Sequence, residues 1–131
     1  AQASNSPSSL GLEKRVLRIV DRFRTYADHF VVARPLVSLY EGRHRLYGGQ
    51  SKQGKRLLVK SLAESRALQL PYFEGLALYE LILCSAVDER KSRSYYKQAR
   101  EIFWRLGADY YSDRLDAYRD MQRRALDLVA S

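Results

Sequence analysis

The stretch Gly49-Gln50-Ser51-Lys52-Gln53-Gly54-Lys55 satisfies G-x-x-x-x-G-K, the spacing at which backbone N–H groups and a lysine cradle nucleotide phosphates. Two features speak against that chemistry. The next position, where a Ser or Thr would hold magnesium, is Arg56. The preceding segment, Tyr40-Glu41-Gly42-Arg43-His44-Arg45, is charged and helical in pattern, whereas such a loop follows a buried strand. The expectation is an interhelix turn with Gly54 as a small packing residue, and at most a weak pull on anions at a helix N-terminus near Ser51.

Other chemistry is as thinly supported. His29 and His44 are the only histidines, and neither has a Cys or carboxylate at a metal-ligand spacing such as H-E-x-x-H. No nucleophile elbow supports a Ser-His-Asp triad. Asp113 with Asp116, and Glu13 with Asp21, lie beside Lys and Arg at helical spacing, so they read as surface partners and not as an acid and base in a pocket. The sequence therefore predicts no catalytic residue, no cofactor and no metal. The single cysteine, Cys84, excludes an internal disulfide and follows Leu81-Ile82-Leu83, which predicts a buried small hydrophobe in a reducing, cytoplasmic setting.

Cations interleaved with tyrosines are the more informative residues. Arg90-Lys91-Ser92-Arg93-Ser94-Tyr95-Tyr96-Lys97-Gln98-Ala99-Arg100 combines groups that neutralise phosphates or carboxylates with rings that stack. A second basic cluster lies at Arg43, Arg45, Lys52, Lys55, Arg56 and Lys60. With 23 basic against 15 acidic residues the chain carries a formal +8, which favours an acidic protein, a nucleic acid or an anionic membrane surface without choosing among them. Tyr95 stands one turn before Ala99 and reads as interface, whereas Tyr96 is free to remain exposed.

The elements that must position these residues are helices. Residues 1–10 are polar and Ser-rich and read as a linker to a domain over 11–131. From Leu12, the stripe Leu12, Val16, Ile19, Val20, Phe23, Ala27 and Phe30 has helical spacing, with Lys14, Arg15, Arg18, Arg22 and Arg24 on other faces. Pro35 suits the first turn of a second helix, from about Arg34 to Tyr47, that stops at Gly48-Gly49. A third helix fits Ser51 to Leu68, with Leu58, Ser61, Leu62 and Ser65 along one side, and Pro71 opens a fourth whose inner face carries Phe73, Ala77, Leu81 and Cys84. Asp88 to Arg93 reads as a charged loop, with Ser92 or Ser94 capping a fifth helix that carries Tyr95, Ala99, Ile102, Phe103 and Leu106 and ends at Gly107. Ser112 is placed to cap a sixth, with Leu115, Tyr118, Ala125 and Val129. No segment alternates with period two, so the fold is expected to be all-α. No apolar run approaches the roughly 18–20 residues of a membrane span.

Two of these helices repeat. Leu39-Tyr40-Glu41 recurs as Leu78-Tyr79-Glu80, about 39 residues on, and Gly54, Leu58 and Ser61 share their spacing with Ala99, Phe103 and Leu106, about 45 residues on. A small residue lets paired helices approach, and a bulky one a turn later fills the next groove. The expected architecture is about six helices in three stacked antiparallel hairpins, each needing its neighbours to bury both faces.

These residues resemble tetratricopeptide repeats, in the degenerate form found in signalling ATPases. Arg34-Pro35 leading to Leu39-Tyr40-Glu41-Gly42, Leu70-Pro71-Tyr72 with Gly75, Ala77, Glu80 and Leu81, and Ala99 to Phe103 with Leu106-Gly107-Ala108 look like the C-terminal helical region of large proteins that carry class III adenylyl cyclase or kinase domains and then a STAND-type ATPase. The resemblance spans about residues 12–110 and implies a right-handed superhelix acting as a regulatory or scaffolding segment. No cyclase or ATPase domain is found in these residues, so no catalytic role carries over. The opening Ala1 and the lone Met121 add the expectation of a fragment or processed chain.

The expected function is a protein-interaction module whose partner is an acidic protein or peptide, or a neighbouring domain of the parent chain. In stacked hairpins the first helix of each pair lines the concave surface, which nominates Arg43, Arg45, Tyr47 and Tyr79. The basic-aromatic segment adds Arg93, Tyr96 and Lys97. Nucleic-acid binding through the two basic clusters is the alternative, and a structural spacer or dimerisation unit, with apolar residues uncovered near Leu12 or Val129, is the third.

Overall fold

In a computed structural model of the chain, the backbone is described for residues 7–84 and 88–130, and side chains for the same residues except 7–10, 23 and 26–29. It is all-α, with no strand among the described residues. The elements are α1 (Pro7–His29), a 3-10 turn (Val31–Ala33), α2 (Arg34–Tyr47), α3 (Ser51–Ala67), α4 (Pro71–Leu83), α5 (Glu89–Leu106) and α6 (Asp109–Ala130). The chain divides into two compact units, Ala1–Glu64 and Ser65–Ser131.

In the first unit, Pro35 sits in the opening turn of α2, where its missing N–H costs nothing. The helix closes as the Gly48-Gly49 pair dictates. Gln50 N–H reaches back to the Arg45 carbonyl at 2.8 Å and Gly49 N–H to Leu46 at 3.1 Å, with Gly49 at φ +85°, a conformation glycine adopts without a Cβ penalty. α3 then returns along α2 at very short range. A Cβ on Gly54 would lie 2.6 Å from Leu46 Cγ and 2.9 Å from the Gly42 carbonyl oxygen, so the two backbones touch where both residues lack side chains. Ser61 Oγ donates to the Pro35 carbonyl and Ser38 Oγ to Glu64, each at 2.7 Å. Val20, Val37, Leu39, Leu58 and Leu62 are buried, each contributing about 1.5–3 kcal/mol of transfer free energy.

The N-terminal expectations need amendment. α1 starts at Pro7, so the last four residues of the expected linker are helical, and 1–6 lie outside the described residues. Of the α1 stripe, Val20 is buried and Val16 half-buried, but Leu12, Ile19 and Phe30 are exposed; the Phe23 and Ala27 side chains lie outside the described residues.

In the second unit, Gln69, at φ +56°, ends α3 as Gly49 ends α2, with Leu70 N–H bonded to the Ser65 carbonyl at 2.9 Å. Gly107 at φ +68° closes α5 in the same way, through Ala108 N–H to the Phe103 carbonyl at 2.8 Å. α4 is buried from Ala77 to Ile82 on every face, which makes it the central helix of the unit. Phe103 lies on Gly75, where a Cβ would come within 2.8 Å of the ring, and its ring stacks on Tyr111 at 5.1 Å between centroids. Tyr111 also meets Tyr79 edge-on at 5.3 Å. Burial of the Tyr111 hydroxyl pushes its pKa up to about 12.

Two helix starts differ from expectation. Asp88, not Ser92 or Ser94, caps α5, its carboxylate accepting from Lys91 N–H at 2.8 Å, so the charged loop is in fact the first turn of the helix. α6 begins at Asp109 instead of after Ser112. Its inward stripe also stops early. Leu115 is fully buried and Tyr118 half-buried, but every residue from Arg119 to Ala130 is exposed, Val129 at 86%.

Candidate partner-binding groove

The chemistry that stands out in the second unit lies between the first half of α5 and the second half of α6. The two helices run antiparallel, and a network pins them together. Tyr96 on α5 donates its hydroxyl hydrogen to the Asp116 carboxylate on α6, and Arg100 Nε holds the same carboxylate at 3.1 Å. The hydrogen bond from Tyr96, reinforced by that from Arg100, holds the Asp116 carboxyl below the usual carboxylate range. Burial, and then the bond to Asp116, raises the Tyr96 hydroxyl above its ordinary value. The guanidinium of Arg119 lies 4.7 Å over the Tyr96 ring, which fixes the ring from above.

Beside this network runs a groove of about 650 Å³. Arg90, Arg93 and Lys97 line it from α5 and Arg119 and Arg123 from α6, while Tyr118 and Leu126 give it apolar surface above the buried Ile82 at the end of α4. Glu89 is the one carboxylate among the lining residues, against five cations. Arg90, Arg93, Lys97 and Arg123 form no ion pair with a described residue. No described carboxylate therefore lies within ion-pair distance of these four charges. A second hollow of about 410 Å³ shares Tyr96, Arg119 and Arg123 and adds Arg100, Asp116 and Asp120, so two carboxylates offset its three cations.

Three of the residues nominated from sequence, Arg93, Tyr96 and Lys97, meet in this groove. The other four do not. Arg43, Arg45 and Tyr47 belong to α2 in the first unit, where Arg45 is engaged with Gln50 at 2.6 Å and lies 3.8 Å from Glu41, and Tyr47 is 76% exposed. Tyr79 is a packing residue, not a contact surface: it is 5% exposed, and its hydroxyl accepts a hydrogen bond from Arg114 Nε at 2.7 Å. The reason is the burial of α4 on all sides, which leaves it unable to line an open surface as the first helix of a pair was expected to. Arg90 stood in the basic segment but was not nominated. The α6 wall was missed altogether, although Arg119 and Arg123 carry the four-residue spacing of Arg93 and Lys97.

The remaining sequence candidates have structural employment. Gly54 of the phosphate-loop match sits inside α3, its N–H bonded to the Gln50 carbonyl at 2.9 Å and its Cα against Gly42. Lys52, Lys55, Arg56 and Lys60 form an exposed face of α3. Cys84 is half-buried, its thiol directed at the Leu81 carbonyl at 3.5 Å. Asp21 pairs with Arg24 at 3.4 Å. His44 is half-buried in the last turn of α2, and the side chain of His29 lies outside the described residues. No group of three or more His, Cys, Asp or Glu able to hold a metal ion occurs among the described residues, and no described helix is long and apolar enough to cross a membrane. Compared with family models, curated proteins and solved structures, the chain finds no significant match.

Proposed function

We propose that this chain is a non-catalytic interaction module, a tetratricopeptide-like regulatory segment of a larger cytoplasmic signalling protein, and that it engages an acidic polypeptide. The partner is either a separate protein or a neighbouring domain of the parent chain. The observation that carries this reading is the groove between α5 and α6, lined by five cations and one carboxylate together with the apolar surfaces of Tyr118 and Leu126. Such a surface attracts anionic partners from a distance and raises their association rate, while its apolar part supplies affinity that charge alone does not. The repeat is consistent with the resemblance at Leu39 and Leu78, Gly54 and Ala99, and Leu58 and Phe103, which are all buried, but not at Ser61 and Leu106, of which the first is buried and the second 46% exposed.

The same cations favour nucleic acid as a second reading, but two details weigh against it. The Tyr96 ring, the natural stacking platform, is covered by Arg119, and Tyr118 and Leu126 offer apolar surface that suits side chains better than phosphates. Titrating a labelled acidic peptide and a labelled single strand of equal charge into the chain separates the readings. The peptide is expected to bind more tightly at moderate salt; a single strand that binds more tightly at every salt concentration overturns the proposal. Self-association draws support from Leu126, Leu128 and Val129, exposed at 64%, 78% and 86%. A concentration-independent monomer mass in ultracentrifugation would remove it.

A further inference from the structure

The groove also carries information about the shape of its occupant. Resting on the reading that this groove binds an acidic polypeptide, we infer that the partner segment is an amphipathic α-helix, anchored by apolar residues on one face and acidic along both flanks. An all-α unit offers no strand edge for an extended peptide to pair with, which removes strand addition as a recognition mode. A polyproline segment needs open aromatic faces, and that of Tyr96 is taken by Arg119. Two antiparallel helices leave a furrow of the kind a third helix fills in a bundle.

The dimensions agree. From Tyr118 to Leu126 along α6 is about 12 Å at 1.5 Å per residue, a little over two helical turns. That length accepts apolar anchors at i, i+4 and i+7 of a partner helix. Both helices contribute cations to the groove, Arg93 and Lys97 from α5 and Arg119 and Arg123 from α6, so a helix lying in it would meet positive charge from each of the two. α6 runs on beyond Leu126 with Val129 86% exposed, which gives the incoming helix further apolar surface.

The experiment uses the intact chain and four fluorescein-labelled synthetic peptides of equal charge. The first is a Leu/Glu peptide of about 16 residues with Leu at i, i+4 and i+7, a length that can form four turns. The others are its scrambled sequence, an oligoglutamate, and a phosphoserine peptide without Leu. The patterned peptide is expected to bind at least about tenfold more tightly than the other three and to gain helical circular dichroism on binding. Leu126→Ser, at a 64% exposed position of the groove, takes away apolar surface without changing the charge, and it is expected to shrink the advantage of the patterned peptide over oligoglutamate. Equal affinity for patterned and scrambled peptides overturns the helix but not the acidic partner, and tighter binding of the phosphoserine peptide overturns the helix in favour of phosphate recognition. If none of the four binds, both the helix and the acidic-partner reading fall.

Discussion

Tyr96 and Asp116 are joined across α5 and α6 by a hydrogen bond from phenol to carboxylate, and this bond fixes the wall of the basic groove. Because Asp116 also holds Arg100 at 3.1 Å, its carboxylate anchors one cation outside the groove while Arg119 is held over the Tyr96 ring. Tyr96→Phe removes a hydrogen bond to a charged group, and its cost is expected at about 1–2 kcal/mol in urea unfolding, the lower end being favoured by the partial exposure of the site.

The pH dependence follows from the same groups. Asp116 titrates below its unfolded value, so its contribution to stability is present above the ordinary carboxylate range and is lost as pH falls through and below about 4. Tyr111 titrates above its unfolded value, at about 12. Its contribution is complete below about pH 10 and is lost between there and 12, because the unfolded phenol gives up its proton first. Urea midpoints measured across pH should fall at both ends, and Asp116→Asn should flatten the acid limb alone.

Gly54 is expected to tolerate no side chain. Gly54→Ala sets a methyl 2.9 Å from the Gly42 carbonyl oxygen and from the Leu46 amide nitrogen. These are backbone atoms that cannot rotate away, so the change should cost about 1–3 kcal/mol as overpacking. Gly11, in α1 with nothing within 4 Å of a built Cβ, provides the comparison: Gly11→Ala should be neutral or stabilising by up to about 1 kcal/mol. Thermal unfolding of the two variants makes the comparison.

Gln69 holds the left-handed conformation that Gly49 and Gly107 hold at the ends of α2 and α5. Replacing it by Gly should stabilise the chain by about 1 kcal/mol, the penalty an L side chain carries there. A Gln69→Gly variant with a lower unfolding midpoint would count against this account of the turn.

Tyr79→Phe separates packing from binding. Loss of the hydroxyl that accepts from Arg114 at 2.7 Å should cost about 1 kcal/mol, with no change in affinity for an acidic peptide.

Helix boundaries were legible wherever backbone stereochemistry decides them: Pro35 and Pro71 open helices, and Gly48-Gly49 and Gly107 close them. Gln69 closes α3 without any signal, because a glutamine in a left-handed turn is a local exception. The capping site of α5 was misread because Ser92 and Ser94 are as good caps by type as Asp88, and only the position of the first turn distinguishes them. The repeated Leu39 and Leu78 are both buried, but Tyr40 is 40% exposed and Tyr79 5%, since α4 is buried on every face and α2 is not. Half of the groove was visible as Arg93, Tyr96 and Lys97. The other half was hidden because Arg119 and Arg123 have the spacing of any solvated helix face, and only the pairing of Tyr96 with Asp116 brings them opposite the α5 cations.

The central claim is that this groove, and not net charge, binds an acidic partner. The direct measurement is the affinity of a labelled acidic peptide for three forms of the chain at moderate salt: the parent, Arg93→Glu/Arg123→Glu in the groove, and Lys52→Glu/Lys60→Glu on the exposed face of α3, which changes the total charge equally. The account predicts that the groove variant loses at least about tenfold in affinity, while the α3 variant stays within about twofold of the parent. Equal losses in the two variants would contradict it.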